Sequence, residues 1–220
     1  MKRVTTFLLA LLQVFYSVWT LPTTRTSSNS DCPILSSIKT QKNFNLTKFM
    51  EGVWHTRTYN SFVDIPGMDI NSYEHYDLKS RLRNTSNGII IENAGIHKAK
   101  HGTGKCLRRN GTVKYEKNDP AKITLVYNFP HLKHEFSYWI RETDYKNYAV
   151  VYSCSANVRN NEKCTVDKSH LWTITRTPKT EYPKNKIEEQ AKKELCVHGS
   201  HNNVTFPETC PLDEKGVHKH

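Results

Sequence analysis

Ile123, Leu125, Tyr127 and Phe129 occupy every second position of one stretch, with Thr124, Val126 and Asn128 between them. Side chains two apart on an extended chain share a face, so this stretch reads as a half-buried strand. It belongs to a series: 54–59, 73–78, a run opening at Ile89, 136–141, 148–152 and 171–175 are all short and rich in β-branched or aromatic residues. Polar turn signals separate them, at Pro66-Gly67, Asn87-Gly88, residues 101–104, Arg109-Asn110-Gly111, Asn118-Asp119-Pro120 and residues 130–133. Apart from a helical turn expected at 46–50, no helical period appears before residue 183. Even spacing of short strands and turns predicts an all-β fold, an eight-stranded antiparallel up-and-down β-barrel. A C-terminal α-helix is expected at 183–195, opened by Pro183, with its stripe Ile187, Ala191 and Leu195 packed on the outside of the barrel.

Gly52 stands two residues before Trp54, which suggests a tight entry into the first strand and a buried indole. Arg176, at the end of the last run, can stack on that ring as a cation. Counting by twos from the indole puts Trp54, Thr56 and Thr58 on one face and His55, Arg57 and Tyr59 on the other. Tyr73, His75, Tyr76 and Leu78 do not alternate cleanly, and the facing of that strand stays open.

Residues 1–20 read as a secretory signal, with Lys2 and Arg3 followed by an apolar run too short to span a bilayer. Residues 21–30 are polar and are expected to be a disordered tail, as are residues 212–220; the folded domain is expected to cover 31–211. An even set of six cysteines suits an oxidising compartment. Sequons at Asn45, Asn84, Asn110 and Asn203 point the same way, to a secreted extracellular glycoprotein with no transmembrane segment. The net charge of +11 is spread along the chain without a nucleic-acid motif, so it reads as a solvated basic surface, with no nucleic acid as partner.

Before the strand at 148–152 the chain reads Thr143, Asp144, Tyr145, and the strand itself leads into Ser153-Cys154. With Gly52, Trp54 and Arg176, these residues resemble the ordered motifs of the lipocalin family, and the likeness runs over about residues 31–211. Within the family the chain is similar to plasma retinol-binding protein and to apolipoprotein D. The resemblance implies a calyx for a small hydrophobic ligand, with a carrier protein or receptor as further partner. Six cysteines pair in many ways, and spacing does not choose among them. Carried over from the retinol-carrier branch, the pairs are Cys32–Cys196, Cys106–Cys210 and Cys154–Cys164; the apolipoprotein D branch would instead join Cys32 to Cys154. The ligand-lining positions implied are Leu125, Tyr127, Tyr138, Val151, His170, Trp172 and Ile174. They are more aromatic than the retinol carrier's, which transfers the class of pocket but not retinol itself.

Eleven histidines raise the question of a metal or haem. His198 with His201, and His218 with His220, lie in polar tail segments without fixed geometry, so no metal and no cofactor is expected. His170, inward by parity, is the residue that haem-holding members of the family would use. An isomerase of this family needs a free thiol, which a fully paired set of six lacks, and the chain carries no Ser-His-Asp or paired-carboxylate signature. The expectation is therefore a secreted carrier of a retinoid, bilin, fatty acid or similar molecule, not an enzyme. The alternatives are a sequestering or inhibitory protein that takes an amine, a lipid mediator, haem or a host protein, and an isomerase of the lipocalin type.

Overall fold

The computed structural model describes residues 32–61, 73–99, 101–154, 161–198 and 201–212. The signal segment, the tail at 21–30, Pro66-Gly67, and His218 and His220 lie outside the described residues. Eight strands follow one another: β1 (Trp54–Tyr59), β2 (Tyr73–Thr85), β3 (Gly88–Ala99), β4 (Lys105–Glu116), β5 (Asp119–Phe129), β6 (Leu132–Thr143), β7 (Tyr148–Cys154) and β8 (Ser169–Thr175). Each pairs antiparallel with the next, β8 returns to β1, and β1 meets β2 at Trp54↔Ser80 and His55↔Lys79, which closes the barrel. A two-residue strand, β9 (Asn202–Asn203), adds to β1 at Thr58 and Tyr59.

The structure corrects the reading of three segments. Arg109, Asn110 and Gly111 do not form a turn; they run through the middle of β4, paired with β3. Gly111 is there because a Cβ would meet the Tyr127 ring and the Val126 carbonyl at 2.9 Å, so Tyr127 needs the missing side chain in order to lie across the strand. The simple parity of β1 also fails. Its register with β8 slips between Thr56 and Thr58, and this bulge turns Tyr59 to the Trp54 side, opposite Trp172. In β2 a second bulge falls between Tyr76 and Lys79, where Asp77 takes φ 47°. That explains the broken alternation: His75 faces inward before the bulge and Leu78 and Leu82 after it. The expected loop at 130–133 is shorter, since Leu132 and Lys133 already pair with β5.

Two outer layers cover the barrel. Helix α1 (Leu46–Met50) is a single turn capped by the Asn45 side chain, and α2 (Lys184–Leu195) is the expected C-terminal helix. Ile187, Ala191 and Leu195 of α2 pack on Trp139, Val150, Tyr152 and Leu171, the outward residues of β6, β7 and β8. Those strands are consequently buried on both faces. On the far side, the segment ending at Cys210 lies over Ala94 and Ile96, and the Cys210 N–H donates to Asp77 at 2.6 Å. Three disulfides, Cys32–Cys196, Cys106–Cys210 and Cys154–Cys164, tie these layers down. Bridges that close long loops contribute about 2–4 kcal/mol each, largely by restricting the unfolded chain.

One end of the barrel is plugged. Trp54 is 1% exposed, stacks on Phe49 with centroids 5.1 Å apart and donates its indole N–H to the Phe49 carbonyl at 2.9 Å. The Arg176 guanidinium lies 3.5 Å from the centre of that indole. Its nitrogens donate to the carbonyls of Tyr145, Lys48, Phe49 and Glu51. Gly52 enters β1 at φ +67°, a backbone region that side chains disfavour. Asp144 holds the adjoining β6–β7 turn by accepting the N–H groups of Lys146, Asn147 and Tyr148, while Thr143 donates to the Tyr148 carbonyl. Tyr145 reaches over to accept the Asn45 N–H at 2.8 Å.

Near the opposite end, β2 and β3 place His75 and His97 with their Nδ1 atoms 2.9 Å apart. Only one of those nitrogens can carry a proton. Burial, then the neighbouring His75 and Arg109, push the His97 pKa down to about 4.

Two expectations follow from this architecture. Trp54→Ala should destabilise the protein by about 3–5 kcal/mol in denaturant unfolding, and the double variant with Arg176→Ala should lose less than the sum of the singles. Strict additivity would mean that the stacked pair is not coupled. The second concerns pH. Because the unfolded His97 takes up its proton near 6.5 and the folded one only near 4, its contribution is complete above 6.5 and is lost as pH falls across that window. Unfolding midpoints should therefore fall less steeply there for His97→Gln than for the unaltered chain, and an unchanged slope would mean that the folded ring is protonated.

Candidate ligand pocket

The inward faces of the strands converge on one cluster. Ile123, Leu125 and Tyr127 of β5 face Tyr138 and Ile140 of β6, Ala149 and Val151 of β7, and Trp172 and Ile174 of β8, with Trp54 at the floor. Antiparallel alternation puts the β1 entry and the β2–β3, β4–β5 and β6–β7 turns at the plugged end. The 101–104 turn, the Pro130-His131 turn and residues 161–168 therefore lie at the other end, the mouth.

Six of the seven positions expected to line the pocket, Leu125, Tyr127, Tyr138, Val151, Trp172 and Ile174, sit together in this cluster. The seventh, His170, is one inward step above Trp172, with the two rings parallel to within 10° and 6.3 Å apart, and its Nδ1 lies 2.8 Å from the Ser61 hydroxyl. The aromatic residues are ordered against one another: Tyr127 stacks on Phe136 at 5.6 Å and Tyr138 on Trp172 at 6.2 Å. Burial raises the pKa of both the Tyr127 and Tyr138 hydroxyls, so neither offers an anion to the pocket.

Several inward residues escaped the sequence reading. Tyr59 and His75 were hidden by the two bulges, since strict counting by twos assigns the wrong face once an extra residue enters a strand. Arg109 was hidden by the assignment of Asn110-Gly111 to a turn. Counting back by twos from Val113, which pairs with Leu125, would have found it. His134 extends the inward row of β6 toward the mouth, beyond the 136–141 stretch the sequence marked, and Phe136 at the start of that stretch faces inward with it.

Arg109 pairs with Asn93 across β3 and β4 and lies over the Phe129 ring at 4.4 Å. Asn93 donates to the Tyr127 hydroxyl at 2.6 Å, and Tyr127 pairs with His134 on β6. Burial lowers the pKa of both Arg109 and His134. Three buried polar atoms in this region, Arg109 Nη1, His134 Nε2 and Trp172 Nε1, have no hydrogen-bond partner among the described residues. Buried polar atoms are rarely left so, and each such case calls for a partner outside the described residues.

His198 and His201 are not brought together as a metal site; His201 Nδ1 instead contacts Glu188 at 2.9 Å. Among the described residues, no three His, Cys, Asp or Glu side chains are placed to hold a metal. All six cysteines are paired, so the pocket holds no thiol nucleophile.

No family model matches the chain. Retinol-binding protein 4-B of Oncorhynchus mykiss is 28% identical over 188 residues, 82% of this chain and 98% of that protein. Apolipoprotein D of Bos taurus is 34% identical over 80 residues, 34% of this chain and 40% of that one. Among solved structures, insecticyanin from the tobacco hornworm Manduca sexta superposes with a TM-score of 0.51 at 17% identity, covering 74% of this chain and 77% of that one, which is a likeness of fold. A closed barrel floored by Trp54 under Arg176, together with the superposition on insecticyanin, gives the chain the lipocalin fold, and its sequence is similar to retinol-binding protein 4-B over 82% of its length.

Proposed function

We propose that this chain is a secreted carrier of a small hydrophobic ligand, held inside the barrel, and not an enzyme. The observation that carries the reading is the single inner cluster, in which apolar and aromatic side chains from β5, β6, β7 and β8 face one space above Trp54. A molecule entering it gains about 25 cal/mol for each Å² of apolar surface removed from water, less the cost of association. The relative named for retinol supports a flat or elongated ligand. Secretion after removal of residues 1–20 belongs to the same proposal, as does glycosylation. Asn45, Asn84 and Asn203 are exposed, whereas Asn110 is half-buried on the outer face of β4 and is the poorest acceptor of the four. A receptor or second carrier protein would be the natural destination of such a ligand.

The reading is tested with retinol and a fluorescent fatty acid as probes. Both should compete for one site and quench tryptophan emission, and Trp172→Phe should remove the larger part of the quench. Val151→Glu, which buries a charge in the lining, should weaken binding by about tenfold or more, while Thr124→Glu on the outer face of β5 should stay within about twofold. Equal losses from the two charge variants would place the ligand outside the barrel.

A further inference from the structure

The polar groups inside the barrel are not scattered. His75, His97, Arg109 and His134 all lie toward the mouth, while the floor around Trp54, Leu82 and Ile91 is apolar. Such a gradient orients a guest: an apolar body downward, a polar head upward. The chemistry of the head is set by charge. Arg109 is the one permanent cation among these residues, and none of the inward positions named for the pocket is a carboxylate. A guanidinium held over an aromatic ring and partly withdrawn from water, with Nη1 buried and without a hydrogen-bond acceptor among the described residues, is a group that an anion would stabilise. His134 Nε2 stands beside Tyr127 on the neighbouring strand and is likewise unsatisfied.

We propose that the ligand of this pocket is an amphipathic anion, a carboxylate on a long apolar body, whose head accepts a hydrogen bond from Arg109 Nη1 near the mouth while its tail runs down toward Trp54. The inference rests on the carrier reading and narrows it. Arginine is suited to the task because its planar fork meets a carboxylate with charge-assisted hydrogen bonds, which a neutral alcohol cannot match. The aromatic surroundings strengthen that preference by lowering the local dielectric, so that acid and alcohol of one chain length should separate clearly. A primary or quaternary amine is disfavoured by the same cation.

The test compares palmitate with hexadecanol, which share a chain and differ in the head, on the full mature protein, by displacement of a bound fluorescent probe. The unaltered protein should bind palmitate at least about tenfold more tightly than hexadecanol. Arg109→Gln should remove that preference by weakening palmitate while leaving hexadecanol within about twofold, with circular dichroism confirming the barrel. Equal affinity of the two probes for the unaltered protein would overturn the anionic head and leave the carrier reading standing; this comparison decides even if the variant fails to fold. A preference that survives in Arg109→Gln, or an equal loss for both probes, would overturn the role of Arg109. Binding of neither probe, nor of retinol, would sink the carrier reading and the inference with it.

Discussion

The stacking of Arg176 on Trp54 fixes the closed end, and much of the remaining architecture depends on it. Residues at the start of β1 and just past the end of β8 are brought into contact there, so the pair acts as a clasp between the first and last strands. The guanidinium uses its remaining donors on carbonyls of α1 and of the β6–β7 turn, which gathers three connections that share no sequence proximity. Burial brings the Arg176 pKa down to about 10, so the group is still charged at neutral pH. A barrel has no free sheet edge only if it closes, and closure requires this end to be registered.

With the floor fixed, the two faces of the strands take different tasks. Outward residues of β6, β7 and β8 are apolar because α2 lies on them, and inward residues are apolar because they form the inner cluster of the barrel. The far side is covered more thinly, by the segment leading to Cys210, whose attachment relies on a disulfide to β4 and on the buried Asp77 carboxylate. Asp77 is the bulged residue of β2, so the same irregularity that redirects His75 into the barrel also supplies the anchor for the outer segment. The cost of a left-handed backbone at a non-glycine residue is offset by the hydrogen bond it enables.

The barrel interior is graded from an apolar floor to a mouth rich in histidine and holding Arg109. Burial lowers the pKa of His97 to about 4 and pushes that of His134 down as well, so the arginine is the lasting charge beside them. A lining of this kind binds and orients; with every cysteine paired it offers no thiol for covalent chemistry.

Much of this was legible in the sequence. The period-two pattern of Ile123, Leu125, Tyr127 and Phe129, the turn residues between runs, and the stripe Ile187, Ala191 and Leu195 follow from local geometry, which a linear reading can count. Gly52, Trp54, Arg176 and the Thr143-Asp144-Tyr145 turn marked the barrel's closure because their chemistry is specific. What counting could not supply was the facing of residues beyond an irregularity. The bulges at Arg57 and Asp77 arise where strands must bend to close, a demand set by the whole barrel and not by neighbouring residues. Gly111 shows the same limit: in sequence, Asn110-Gly111 is a turn, and only the Tyr127 ring lying across it makes the glycine a strand residue. Arg109 was thus legible as an inward residue only once β4 was known to run through Gly111, and its setting against Asn93 on β3 and Phe129 on β5 was decided by tertiary packing.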